Sequence, residues 1–154
     1  MKFKYFRDPN NFAYKLAEIC ACSICGKTGL WFDASVFHGE EEIDSICDDC
    51  LADGKLESLQ IETNTAYGAD KLETNIIRYR TPSLPTWQET HWPQFNGEYC
   101  IFERFASKAD FASKDEFVNS FTAEDHATSN LDCLWKTLPN KRLLFIIPCL
   151  KLLP

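Results

Sequence analysis

The spacing of hydrophobic and polar positions changes several times along the chain. Residues 30–37 carry aromatic and β-branched side chains between glycines, which predicts a strand, and residues 43–47 are expected to pair back with it. From Leu51 to Gln60, leucines alternate with charged residues, which predicts a short amphipathic helix that includes one glycine. This mixture of strand and helix patterns predicts the α+β class.

A longer helix is predicted after Asp70, which would be its N-cap. Glu73, three residues on, would complete a capping box, and Pro82 would end the helix. The remaining predicted elements are strands at residues 99–105 and 143–147 and surface helices at residues 107–121 and 129–138.

The length of 154 residues predicts a single domain over residues 1–154, with a metal-binding submodule at 18–62 and a helical or mixed remainder at 63–154. Hydrophobic residues make up 45% and charged residues 25%, which is typical of a folded chain and excludes a disordered one. The net charge of −7 gives no support for binding nucleic acid or anionic lipid, so neither partner is expected.

Eight cysteines in a short chain raise the question of disulfides. The first twelve residues interrupt their aromatics with charges and offer no signal-peptide core, so we expect a cytoplasmic protein. The most apolar stretch, residues 143–153, is broken by Pro148 and Lys151 and is too short to span a bilayer. In a reducing compartment the cysteines are expected to be metal ligands or small core residues.

Two C-x2-C pairs, separated by 21 residues, are the strongest chemical signal in the sequence. Cys22 and Cys25 with Cys47 and Cys50 have spacing typical of a four-thiolate zinc site, so we predict one structural Zn²⁺. The order of knuckle, strand hairpin and ligand-bearing helix predicts a treble-clef-like module. Four protein thiolates leave no open coordination position for water, so no catalytic residue is assigned there.

Other roles for the cysteines stay open at this point. A thioredoxin-type redox pair or unrelated core cysteines are the alternatives to zinc, although redox pairs normally occur singly. Cys20 competes as a ligand because it lies two residues before Cys22. Cys100, Cys133 and Cys149 are expected to be buried small hydrophobic residues.

Acidic residues concentrate between His38 and Glu62, where nine carboxylates accompany one lysine. Such a surface repels nucleic acid and accelerates encounter with a cationic partner, so we predict a partner-binding face toward a basic protein. The alternative is a solvated acidic face that keeps the protein soluble. The face is assigned to Glu40, Glu41, Glu42, Asp44, Asp48, Asp49 and Asp53.

Several sequence blocks follow one another along residues 3–102. They are Phe3-Lys4-Tyr5 with Asp8-Pro9, Cys22-x2-Cys25-Gly26-Lys27, Cys47-x2-Cys50-Leu51-Ala52-Asp53-Gly54, and Arg80-Thr81-Pro82 with Trp87-Gln88-Glu89 and Trp92. In this order they resemble the CbrC-like family of bacterial proteins. The resemblance implies a link to colicin tolerance and a place among immunity proteins of toxin loci. It hence implies a cognate toxin as partner, and the acidic face would fit a basic nuclease.

The chain departs from the family pattern at three places. Asp48-Asp49 stand where Pro-Trp is usual, and Phe95-Asn96 stand where His-Cys is usual. Cys149 stands alone where a further Cys-x2-Cys-Gly closes the family pattern. The first departure changes the surface beside the metal ligands, so the partner is expected to have changed with it.

We therefore expect a non-enzymatic, zinc-containing immunity protein that neutralises a toxin in the cytosol. The alternative is a zinc-stabilised stress or colicin-tolerance adaptor with another protein partner. An enzyme is the third hypothesis, motivated by His38, His91 and His126, but no nucleophile elbow, phosphate loop or hydrolase motif accompanies them.

Overall fold

The structure is a computed structural model that describes residues 2–84 and 91–140. Its helices and short antiparallel strand pairs confirm the α+β class. The chain divides into two compact units, Met1–Glu103 and Arg104–Pro154, and each is described by itself below. That residues 1–154 form a single domain stays a prediction.

In its described residues, the first unit contains three two-stranded antiparallel ribbons and three α-helices. The paired strands are β1 (Cys20–Ala21) with β2 (Thr28–Gly29), β3 (Phe32–Asp33) with β4 (Ser45–Ile46), and β5 (Gln94–Phe95) with β6 (Glu98–Tyr99). The helices are α1 (Pro9–Phe12), α2 (Asp48–Ala52) and α3 (Lys71–Arg80).

The core of the first unit is aromatic and aliphatic. Phe3 packs edge-on against Phe32, with ring centroids 5.8 Å apart, so the N-terminal segment covers the β3–β4 ribbon. The same segment is held by the backbone: Phe102 N–H donates to Tyr5 O and Arg7 N–H donates to Phe102 O. The N-terminal residues are therefore an integral part of the unit that carries the cysteine pairs.

Helix α3 begins and ends where the sequence predicts. The Asp70 carboxylate accepts hydrogen bonds from the backbone N–H groups of Leu72 and Glu73, which confirms the N-cap. The helix ends at Arg80, two residues before Pro82. The predicted capping box is wrong, because the Glu73 carboxylate instead accepts from Lys4 and Tyr5.

The helix predicted after Cys50 is wrong in its extent. Helix α2 starts at Asp48 and ends at Ala52, and a separate 3₁₀ turn follows at Glu57–Leu59. Gly54 separates them with φ of +72°, a left-handed conformation that terminates a helix at low cost only for glycine. The leucines are therefore divided between two short helical segments and do not lie on one continuous helix.

Two predicted strands are shorter in the structure. Within residues 30–37 only Phe32–Asp33 pairs, because the Asp33 carboxylate accepts from the N–H of Ser35 and turns the chain. The predicted pairing of residues 43–47 with this strand is confirmed at Ser45–Ile46. In residues 99–105 regular pairing stops at Tyr99, and the predicted strand at 143–147 lies outside the described residues.

The second unit is helical in its described part. A 3₁₀ turn at Lys108–Asp110 precedes α4 (Lys114–Asn119), α5 (Ala123–Thr128) and α6 (Leu131–Thr137). The predicted helix at 107–121 is thus divided into the 3₁₀ turn and α4, because Ser113 acts as a new N-cap for α4. Helix α5 was not predicted, whereas α6 lies inside the predicted range 129–138.

No helix in the described parts of the chain is long and apolar enough to cross a lipid bilayer.

Candidate metal centre

The first cysteine pair lies on the turn that joins β1 to β2. Gly26 N–H donates to Cys22 O at 2.8 Å, and Cys22 N–H donates to Lys27 O at 2.9 Å, which closes the turn around Cys25. Gly26 has φ of +73°, a left-handed conformation that glycine adopts readily after a C-x2-C turn. The turn brings the two thiols to one side of the ribbon.

The second pair lies at the junction of β4 and α2. Cys47 is the N-cap of α2 and Cys50 lies in its first turn, with Leu51 N–H donating to Cys47 O. A hairpin-borne pair followed by a helix-borne pair is the order predicted for a treble-clef-like module.

The structure brings all four predicted ligands together. The Sγ atoms of Cys22, Cys25, Cys47 and Cys50 lie within 4.8 Å of one another, and those of Cys25 and Cys47 are 3.7 Å apart. A tetrahedral ion with metal–sulfur bonds of about 2.3 Å places its sulfurs about 3.8 Å apart. The four thiols therefore have the spacing that a metal ion requires. They form the only such cluster of possible ligands among the described residues.

Backbone N–H groups point at the sulfur atoms. Cys47 N–H donates to Cys22 Sγ at 3.3 Å, and Cys50 N–H donates to Cys47 Sγ at 3.4 Å. Although burial opposes ionisation of Cys22, the backbone N–H groups of Cys47, Cys25 and Ile24 lower its pKa to about 7. Burial raises the pKa of Cys47 and Cys50, so a cation is the natural means of holding them as thiolates.

Three lysines surround the cluster, and the sequence pattern did not reveal them. Lys15 Nζ lies 2.6 Å from Asp48, while Lys2 and Lys27 lie 2.6 and 3.2 Å from Asp49. Hydrogen bonds from Lys2 and Lys27 lower the pKa of Asp49. These lysines, scattered over 25 residues with no period, compensate the charge of two carboxylates assigned to the acidic face.

The rest of the predicted acidic face has no such compensation. We call residues 39–44, in the connection from β3 to β4, the acidic loop. Its carboxylates and that of Asp53 are exposed, and none has an ion pair within the described parts of the chain. The uncompensated members are Glu40, Glu41, Glu42, Asp44 and Asp53.

Strand β4 joins the acidic loop to Cys47 and is hydrogen-bonded to the segment that carries the first cysteine pair. Ser45 Oγ donates to Ala21 O at 2.7 Å, and Ser23 N–H donates to Ser45 O at 2.9 Å. At the same end of the loop, Ala34 N–H donates to Asp44 O at 3.1 Å. The loop is therefore anchored on the same hairpin that presents Cys47.

The other described cysteines lie outside the cluster and are free thiols. Cys20, which competed as a ligand in the sequence, is not one of the clustered thiols. Its Sγ instead lies 3.9 Å from Gly29 O. Cys100 is half-buried, but Cys133 is exposed on α6, so its predicted burial is wrong. Cys149 lies outside the described residues.

The three histidines of the enzyme hypothesis are divided between the two units. His38 lines a cleft of about 460 Å³, and the His91 ring lies 5.4 Å from that of Tyr67 on the same cleft. His126 lies in α5 of the second unit. The cleft itself was not predicted, because its lining comes from four separate segments of the first unit.

The sequence matches the profile described as "Uncharacterised protein family (UPF0167)" over residues 1–144. The chain belongs to this family. It is the family called CbrC-like above, so the resemblance is confirmed at that level. No solved structure matches the chain.

Proposed function

We propose that this UPF0167 member is a non-enzymatic immunity protein that binds and neutralises a basic toxin in the cytosol. Zinc would fix the hairpin that displays the acidic loop. The observation that carries the proposal is the set of exposed carboxylates at Glu40, Glu41, Glu42 and Asp44, which have no ion pair in the described residues and sit on a loop anchored at the metal centre.

Zinc is the metal that suits the cluster best. Zn²⁺ accepts four thiolates in a closed tetrahedron and has no redox chemistry, which suits a site with no open position. Its role is structural: metal binding to such sites contributes on the order of 10 kcal/mol to folding. Cys22, Cys25, Cys47 and Cys50 are the residues that would hold it.

The distribution of charge favours a basic protein as the partner. Lys2, Lys15 and Lys27 offset the charge of Asp48, Asp49 and the thiolates, so the negative potential concentrates on the acidic loop. An exposed, uncompensated acidic loop raises the rate of encounter with a cationic surface and disfavours nucleic acid. This supports neutralisation by stoichiometric binding, with no chemistry required of the loop.

The test uses the protein encoded beside this one, wherever that neighbour carries a toxin domain, in a catalytically inactive form. We expect a one-to-one complex on co-expression, and protection of growth when the active toxin is produced. The double variant Glu41→Gln/Glu42→Gln should slow association about fivefold or more at low ionic strength, because rim charges act mainly on the association rate.

The matched control is Glu18→Gln/Glu98→Gln, which removes the same charge from exposed positions elsewhere in the first unit. It should leave the association rate within about twofold. No complex with the neighbouring toxin, or equal association rates for the two double variants, would contradict the proposal.

A further inference from the structure

The cleft of about 460 Å³ adjoins the acidic loop and shares Glu40 with it. Its volume falls in the range of about 300–1,000 Å³ typical of ligand sites. The ionisable side chains that line it are His38, Glu40, Glu62 and Arg78, so its formal charge with neutral histidine is −1. Glu41 and Glu42 follow directly in the chain and add to the negative potential at its mouth.

The cleft is pre-formed by the backbone. His38 and Glu62 exchange N–H···O hydrogen bonds of 2.9 and 2.7 Å, and Trp92 N–H donates to Thr65 O at 2.8 Å. Gly39 permits this close approach, since a Cβ there would lie 2.9 Å from Ile61 Cγ1. A ligand would therefore meet walls already in place, which lowers the entropic cost of binding.

The carboxylate of Glu62 is held in position on the cleft wall. Its Oε1 accepts from Arg78 Nη2, and no described residue donates a hydrogen bond to its Oε2. Glu40 is exposed without an ion pair in the described ranges. The cleft therefore has two carboxylates, one anchored and one uncompensated, and only one arginine to balance their charge. This excess of negative charge suits a positively charged ligand group.

Tyr67 supplies an aromatic surface at the same cleft. Its side chain is 72% exposed, which is unusual for a large ring with no role in the core. The backbone at Tyr67 is held in place because Gln94 Nε2 donates to Tyr67 O and the adjoining Ala66 is buried. An exposed tyrosine ring that lines the same cleft as two carboxylates is suited to bind ammonium or guanidinium groups through cation–π attraction.

We propose that this cleft is the anchor pocket for one arginine or lysine side chain of the basic partner. The inference rests on the proposed function for the identity of that partner. The charged end of the side chain lies over the Tyr67 ring and within reach of the carboxylates of Glu40 and Glu62. Buried aromatic and arginine contacts of this kind dominate the affinity of many interfaces.

The first test needs no partner. The probe is N-acetyl-arginine N-methylamide, titrated into the zinc-loaded protein and followed by amide NMR shifts. We expect millimolar binding with shifts confined to the segments around His38, Glu62 and Tyr67. N-acetyl-glutamate N-methylamide should cause no such shifts. Absence of cleft shifts with the arginine probe, or equal shifts with the glutamate probe, would overturn the pocket.

Variants make the test specific. Tyr67→Ala should weaken binding of the arginine probe about three- to fivefold, the value of an exposed cation–π contact, and Tyr67→Phe should restore it to within about twofold. The control is Leu72→Ala on α3, where a comparably exposed side chain (70%) is removed outside the cleft. Unchanged binding by Tyr67→Ala overturns the role of the ring.

The partner then separates the two proposals. If the neighbouring toxin binds wild type and Glu40→Gln/Tyr67→Ala equally well, the anchor pocket is wrong although the immunity function stands. If the arginine probe binds the cleft but the toxin does not bind at all, the pocket stands and the immunity function fails. A loss of at least about tenfold in toxin affinity for the double variant supports both.

Discussion

The backbone N–H of Cys47 donates to the Sγ of Cys22 at 3.3 Å, across 25 residues of chain. The turn that carries Cys22 and Cys25 therefore orients the helix-borne cysteine pair directly. A shared metal ion would add to this effect. Loss of one pair should disorganise the other and, through β4, the acidic loop.

Replacing Cys47 by Ser tests this dependence. A missing thiolate leaves three ligands, so we expect loss of tightly bound metal and a loss of stability that is a large part of the roughly 10 kcal/mol a structural site supplies. Metal content measured by mass spectrometry and urea unfolding followed by circular dichroism give the two readouts.

The matched control is Cys20→Ser, since Cys20 is the nearest cysteine outside the cluster. It should retain one metal ion per chain and stability within about 1 kcal/mol of wild type. Loss of metal in Cys20→Ser, or full metal retention in Cys47→Ser, would show that the ligand set is wrong.

Asn64 is a buried residue whose importance the sequence does not reveal. Its Nδ2 donates to the carbonyl oxygens of Thr81 and Pro82, each at 3.2 Å, and its Oδ1 accepts from Leu84 N–H at 3.1 Å. Replacement by Ala removes the partner of Pro82 O and of Leu84 N–H, while Thr81 O keeps the hydrogen bond from Thr63 Oγ1. We therefore expect a loss of about 2–4 kcal/mol in the free energy of unfolding. Urea unfolding of the zinc-loaded protein measures it.

The control for Asn64 is Asn10→Ala, because Asn10 is exposed on α1. Its cost should stay below about 0.5 kcal/mol. Similar costs for the two variants would mean that the hydrogen bonds of Asn64 are replaced by water in solution.

Tyr5 should make stability depend on pH in the alkaline range. Burial and the hydrogen bond it donates to Glu73 raise the pKa of Tyr5 from 10.0 to about 12. The folded state then holds this proton more tightly than the unfolded chain, so the contribution is complete below pH 10 and is lost as pH rises toward 12. We expect about 2–3 kcal/mol to be lost over this range.

Tyr5→Phe isolates this contribution from other groups that titrate at high pH. Urea unfolding at pH 8 and near pH 11 should show wild type losing more stability than Tyr5→Phe. Parallel losses in the two proteins would show that the phenol does not retain its proton on folding.

Local signals predicted the elements whose ends are set by neighbouring residues. Asp70 and Pro82 define α3 because capping and proline geometry act within a few residues. The helix expected from Leu51 to Gln60 failed at Gly54, where a positive φ overrides hydrophobic spacing. The Asp33 turn likewise shortened a strand that its apolar neighbours favoured.

The clustering of the four cysteines was predictable for a different reason. C-x2-C spacing places two thiols on one turn, and two such pairs define a tetrahedral site without knowledge of the fold. The pairing of lysines with Asp48 and Asp49 was not predictable. Lys2 and Lys15 come from segments distant in sequence, and Lys27, which follows the first cysteine pair, meets Asp49 only after folding. The same is true of the cleft, where Tyr67 and Glu40 meet only after folding.

X-ray absorption at the zinc edge of the purified protein tests the central claim most directly. We expect one zinc per chain with four sulfur neighbours at about 2.3 Å and no nitrogen or oxygen bound directly to the metal. A shell with fewer than four sulfurs, or protein that folds and binds its partner without metal, would contradict it.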